Sequence, residues 1–360
     1  MAELLQGRPT ITTEWMVSVG LDLLTTVSLV TVVHEFEGLG TWLLEASSAL
    51  PAQLRHELDL ALRLTAYPHA VVETLAAEVL GPERLGHTDV EVLLTDLAAL
   101  DATTCRRVVE TIIAKSFARH NVEIAVSPTE LLADVEALET MLKQLPLPVS
   151  SAEAAHLLAA PVAWHDLTVS SVRQFWERVY GEQWAETYPL LVRSIEYQRR
   201  QNYPSDFSAL FATVTGRQVP DRVRTHLAEI EHVRFVPSLY IGPYVSFVFH
   251  ASTATIFYNG QGTPTTDTGS GPQIDDLYHP LTALADKTRL TIMAMLNGRE
   301  LYAQEIVERL GISQSAVSRH LQLMVDMKVL NVRRGDRGAK FYSINTTALQ
   351  RAAKRLSEFR

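Results

Sequence analysis

LYAQEIVERLGISQSAVSRHLQLMVDMKVL, residues 301 to 330, decides how this chain is read. Two short helical patterns meet in it at a glycine. Ile306 and Leu310 recur at helical spacing, and Gly311 supplies the backbone freedom of a tight turn. Ser313 is placed to cap a second helix, along which Val317, Leu321 and Met324 fall at i, i+4 and i+7 and form one apolar stripe. Opposite the stripe stand Gln314, Ser315, Ser318, Arg319 and Gln322, all hydrogen-bonding side chains with no acid among them. A helix that packs one face and offers amides, hydroxyls and a guanidinium on the other suits the floor of a DNA major groove. The bland alternative is a solvated helical hairpin.

The flank that follows argues against the bland alternative. Leu330 to Ile344, LNVRRGDRGAKFYSI, predicts two short strands around Gly335-Asp336-Arg337-Gly338. Leu330 and Val332 point one way, as do Tyr342 and Ile344, the period-2 pattern of a half-buried hairpin. Arg333, Arg334, Arg337 and Lys340 stand near its tip against the single acid Asp336. A basic hairpin directly after a recognition helix is the wing of a winged helix. Its cations reach phosphates, which adds affinity without reading sequence.

The segment from Leu281 to Ile344 resembles the DNA-binding domain of the arsenical-resistance repressor (ArsR) family. The resemblance rests on Leu284-Ala285-Asp286, on Thr288-Arg289-Leu290 with Ile292, on Gly311 with Ser313-Gln314-Ser315, and on Val317-Ser318-Arg319-His320-Leu321. It covers 64 of the 360 residues. Two departures are visible: Lys287 stands where these proteins often carry proline or a small residue, and Val307 where alanine is usual. Neither removes a contact to DNA, and Val307 asks only for slightly wider helix packing. Metal-sensing members of the family place cysteines at the start of the helix before the turn. Here that place reads Glu300-Leu301-Tyr302-Ala303-Gln304, without a thiol, so soft-metal sensing there is not implied. The resemblance also implies a homodimer, paired through the helix before the turn-helix unit and the last helix. Leu277, Leu281 and Leu284 would supply one half and Leu349, Ala352, Leu356 and Phe359 the other.

Charge is divided along the chain. The net charge of −9, taken alone, argues against a nucleic-acid partner. Tyr278 to Arg360 nevertheless holds 14 basic and 7 acidic residues, a surplus of +7, while the preceding 277 residues hold 18 and 34, a balance of −16. A basic module on an acidic body is the asymmetry of a DNA reader with a separate regulatory part. The single cysteine, Cys105, excludes an internal disulfide and suits a reducing cytoplasm. It sits on a helix beside Arg106 and Arg107, which would lower its pKa, although a structural role is the plainer reading. Met16 to Val33 is the only membrane candidate; with Asp22 at its heart and no flanking basic cluster, it reads instead as a buried helix.

The remainder predicts a mainly α fold with a small β component (α+β). Residues 8 to 19 open with a strand, Gly20 to Glu37 form an apolar helix, and helices dominate from Pro51 to about Gln144. PTELLADVEALETMLKQL, from Pro128, reads as one of them. Helices resume from Ser150 to Arg200, and Pro220 to Ile230 is a short helix opened by proline. HVRFVPSLYIG, YVSFVFH and TATIFYNG then read as two or three strands. Asn259 to Gln273, rich in Gly, Pro, Thr and Ser, reads as a flexible linker. The chain thus divides into a helical body (1–259) that regulates, binds a ligand or assembles, a linker (260–274) and a winged helix with a dimerisation helix (275–360).

Catalytic chemistry is not expected. His34-Glu35 begins like a zinc-protease motif but meets Gly38 where the second histidine belongs, and His165-Asp166 and the His226/His232 pair are isolated. No nucleophile elbow, phosphate-binding loop or dinucleotide glycine pattern is present. The expected function is a sequence-specific transcription regulator on a double-stranded DNA operator, with no cofactor and no membrane. A small-molecule effector would enter through the body, where Trp164, Trp176, Trp184 and the Tyr240–Tyr244 stretch are material for an apolar pocket or for plain core. The alternative is a small-molecule-binding or enzymatic body tethered to DNA by the winged helix.

Overall fold

The first strand, β1 (Thr12–Trp15), finds its partner far along the chain. It runs parallel to β2 (His232–Ser238), with Thr12 opposite His232 and Trp15 opposite Phe235. β3 (Ser246–His250) and β4 (Thr253–Asn259) form a hairpin, and β4 pairs parallel with β2, so the sheet order is β1-β2-β4-β3. The computed structural model describes residues 11–36, 39–79, 89–224, 229–242, 244–260, 275–335 and 339–358. From Thr253 to Tyr258 every residue of β4 is buried, on both faces of the sheet. This is why TATIFY carries apolar and hydroxyl side chains without a charge.

Between β1 and β2 the described elements are helices: α1 (Val19–Val32), α2 (Thr41–Ala49), α3 (Ala52–Leu62), α4 (Pro68–Val79), α5 (Val90–Ala98), α6 (Ala102–Arg119), α7 (Pro128–Ala133), α8 (Val135–Leu142), α9 (Ser151–Leu158), α10 (Pro161–Phe175), α11 (Gly181–Arg199), α12 (Phe207–Thr215) and α13 (Asp221–Arg224). α1 is buried almost all round, which accounts for its continuous apolar run. Among the described residues no helix is long and apolar enough to cross a membrane. Asp22 lies wholly buried in α1 and accepts a hydrogen bond from the Tyr180 hydroxyl, while its second oxygen has no protein partner. Burial pushes its carboxyl up to about 6.

Several local expectations change. The stretch from Pro128 is two helices, α7 and α8, because Asp134 leaves helical geometry (φ −117°, ψ 91°) and accepts from the Ala137 N–H at 3.0 Å to cap the second. The Pro220 helix is described only as α13; residues 225–228, with His226, lie outside the described residues, and Glu229 and Ile230 are not helical. α10 and α11 are joined through a π-helical turn, Trp176–Tyr180. Tyr240 sits beyond the end of β2, buried against Trp42, with its hydroxyl 2.7 Å from Thr187 Oγ1. Trp164 is core, its indole N–H donating to the Ala61 carbonyl at 3.0 Å, and Trp184 is buried. Cys105 is buried as well, and burial raises its thiol pKa, so Arg106 and Arg107 do not activate it.

A second, smaller core belongs to the C-terminal part. Its elements are α14 (Asp275–Leu284), α15 (Lys287–Met295), β5 (Leu301–Tyr302), α16 (Ala303–Leu310), α17 (Gln314–Asp326), β6 (Leu330–Arg334), β7 (Lys340–Ile344) and α18 (Thr346–Glu358). Ile292, Leu301, Ile306, Val317, Leu321, Met324 and Leu330 are buried together there, and none belongs to the core of the body. Val307 is half-buried against this core. The molecule is therefore α+β, with helices predominating and, among the described residues, one small sheet in each part. The low-complexity stretch, apart from Asn259 and Gly260, lies outside the described residues.

Candidate nucleic-acid interface

The site starts from two caps. Asp286 accepts from the Arg289 N–H at 2.9 Å and opens α15, and that bond holds its carboxyl below the usual range. Arg289 folds back over the preceding turn, donating to the carbonyls of Ala283 and Thr282. Within the turn proper, Gly311 adopts φ +66° and its N–H reaches the Val307 carbonyl at 2.9 Å, closing α16 with a left-handed residue. Ser313 then caps α17, accepting from the Ala316 N–H at 3.3 Å.

These caps fix the rotation of α17. Val317, Leu321 and Met324 are buried, as the stripe predicts, and Gln314, Ser315, Ser318, Arg319 and Gln322 are all exposed. No ion pair engages Arg319 among the described residues. The Gln322 amide is held by Asp326, the only acid in the helix, at 2.8 Å. His320 turns toward the packed side, 3.9 Å from Asp286.

The expected hairpin forms, and its register sets Leu330 opposite Ile344 and Val332 opposite Tyr342. Sequence reasoning missed its third strand: β5 pairs with β7, so the order is β5-β7-β6. Arg334 and Lys340 face each other across the hairpin and are exposed. Arg337 lies outside the described residues. Arg333 is placed differently. Its guanidinium lies over the Phe341 ring, 4.5 Å from the centroid, and gives two nitrogens to Glu300 Oε2 at 2.7 and 2.6 Å. The other Glu300 oxygen accepts from Arg217 of the body. One carboxylate thus ties the wing to the loop after α12. Gln218 donates to the Gly298 carbonyl beside it, and the Arg334 N–H lies 3.4 Å from the Tyr244 hydroxyl. The only signal for Glu300 in the sequence was a negative one: an acid stood where thiols were sought.

Comparison with known proteins covers this part of the chain. The sequence model described as "Bacterial regulatory protein, arsR family" matches residues 286–332. The transcriptional repressor SdpR of Bacillus subtilis (strain 168) is 35% identical over 68 residues, which are 19% of this chain and 74% of that protein. Among solved structures, HlyU from Vibrio cholerae N16961 is 26% identical, covering 25% of this chain and 100% of its own, with a TM-score of 0.21. NolR from Sinorhizobium fredii is 24% identical, covering 27% and 95%, with a TM-score of 0.21.

Proposed function

Because the chain belongs to the bacterial ArsR family, whose members are DNA-binding transcription regulators, we propose that it is a repressor that reads an operator through the major groove. The observation that carries this reading is the face of α17: five exposed hydrogen-bonding side chains directly over a buried stripe. Gln314, Ser315, Ser318 and Arg319 address base edges, and Gln322 follows where it can exchange Asp326 for DNA. Arg334, Lys340 and Arg337 neutralise phosphates. Arg333 belongs with them by charge, but with Glu300 on its guanidinium its larger share is to hold the wing in place. Two chains pair through α14 and α18, and the body of residues 1–259 regulates rather than catalyses. Repression is carried over from SdpR, the curated relative, whose description is that of a repressor.

Selection of bound DNA from a random pool with the intact protein tests the reading. The expected product is a two-fold symmetric site whose half-sites are centred about one helical turn apart. Recovery of unrelated sequences, with affinity set by salt alone, would reduce the module to a nonspecific tether.

A further inference from the structure

Three successive residues of the body touch the winged helix at the turn that closes α12. Gly216 takes φ +68° there, and a Cβ on it would stand 2.9 Å from the Thr346 hydroxyl at the start of α18, so the backbone itself approaches the module. Gln218 donates to the Gly298 carbonyl. Arg217 lies between these two contacts and donates to Glu300 Oε1, while Arg333 of β6 gives its two nitrogens to Oε2. Both chain neighbours of Arg217 are therefore held against the module, and its guanidinium loses little further freedom on pairing.

One cation neutralises a carboxylate, and Glu300 holds two. The three side chains are between 17% and 27% exposed, so salt screens them less than an open surface pair. The bland alternative is a static brace, for which Arg217 and Glu300 alone would suffice. Arg333 adds something else. It stands next to Arg334 and near Lys340, the exposed cations of the wing, and it uses one Glu300 oxygen only. A phosphate can replace that oxygen without disturbing the Arg217 pair. Taking Arg333 from a carboxylate with no second cation would strand a half-buried charge, which is costly; with Arg217 in place, Glu300 stays paired.

We propose that Arg217, a residue of the body, is a positioning residue for DNA binding: it competes with Arg333 for Glu300 and so sets how much of the Arg333 charge the wing offers to phosphate. With the body docked, Arg217 satisfies Glu300 and Arg333 passes to DNA at low cost. With the turn at residues 216–218 lifted away, Glu300 keeps Arg333 and the wing loses a phosphate contact. The position of the body thus regulates affinity without any change in α17. The inference rests on the DNA-binding reading above, because its output is affinity for DNA.

The test uses the intact chain and a random-sequence duplex, since a phosphate contact carries no sequence information. Affinity is measured over a series of salt concentrations for the parent, Arg217→Gln, Arg217→Lys, Glu300→Gln and the double variant Arg217→Gln/Glu300→Gln, with a thermal melt of each. Arg217→Gln should weaken binding about fivefold, the order of one coupled charged contact. Arg217→Lys, which keeps the cation, should recover most of that loss. Glu300→Gln releases Arg333 and should steepen the slope of log affinity against log salt by up to about 1. In the double variant the Arg217 change should cost nothing further, because Arg217 acts through Glu300. The proposal is overturned if Arg217→Gln binds like the parent, or if it weakens binding equally with and without Glu300, as a lost brace or a direct phosphate contact would. An unchanged slope for Glu300→Gln also overturns it, and decides alone if Arg217→Gln fails to melt cooperatively. A parent that binds no duplex DNA would instead strike the DNA-binding reading.

Discussion

At the scale of single residues, Arg319 offers the sharpest test. It is exposed on α17 above the buried Val317 and Leu321. Arg319→Ala should cost about 1–3 kcal/mol on the selected operator and relax preference at one base position. An equal loss on random DNA would reassign it to a phosphate. The wing separates by partner. Arg334→Ala or Lys340→Ala should each lower the slope of log affinity against log salt by about 1. Arg333→Ala should lower it less, because Glu300 already neutralises that guanidinium; equal slopes for all three would count against this division. Asp22 tests the body. Its folded pKa of about 6 stands above the unfolded value of 3.8, so the folded state binds the proton more tightly. No penalty arises below about pH 4, and stability then falls as pH rises through the folded value, by up to about 3 kcal/mol. Asp22→Asn keeps an acceptor for Tyr180 and cannot ionise, so its urea stability should change less between pH 5 and 7.5 than the parent's. Parallel profiles for the two proteins would refute the assignment.

At the scale of elements, the turn between α16 and α17 is held by backbone conformation and not by space. A Cβ on Gly311 would meet nothing within 4 Å, yet φ is +66°. Gly311→Ala should therefore destabilise the protein by about 1 kcal/mol, with Asn tolerated better, as read from chemical unfolding. A loss far above that would mean that α17 had shifted. This turn was legible in the sequence because its determinants are local: a glycine, a capping serine and a stripe within 14 residues, Gly311 to Met324. The hairpin and its alternation were legible for the same reason. Other elements were hidden by their distance from their partners. Nothing near Thr12 announces that it pairs beside His232, and only that pairing makes a four-stranded sheet from what read as terminal strands. β5 was hidden by its two-residue length. The break at Asp134 was hidden because one side chain serves as a helix residue or a cap with equal ease, and the choice falls to packing. For the tryptophans, size and apolarity left pocket wall and plain core equally open, and only the fold shows Trp164 closed in core with its indole N–H on the Ala61 carbonyl.

For the whole molecule, the question is what covers the last helix. α14 and α18 pack against each other, with Leu277 and Ala352 buried. Leu281 and Leu356 stay outside that contact, 45% and 47% exposed, although both lie on the apolar sides of their helices. Burying such a side chain stabilises by roughly 1.5–3 kcal/mol, so a second copy of the same pair of helices has a clear gain in covering four leucines at once. The two-fold axis this creates would set two α17 helices about 34–36 Å apart, the spacing of successive major grooves on one face of DNA. The intact protein should then sediment at twice the 40.1 kDa of one chain at micromolar concentration. Leu281→Glu places a carboxylate in that contact on each chain and should yield a monomer that still melts cooperatively, because the residue is outside both cores. Operator affinity should fall steeply in the same variant, since one half-site alone remains to be held. A parent that sediments as a monomer, or a Leu281→Glu dimer with undiminished operator affinity, would show that α14 and α18 do not join the two chains.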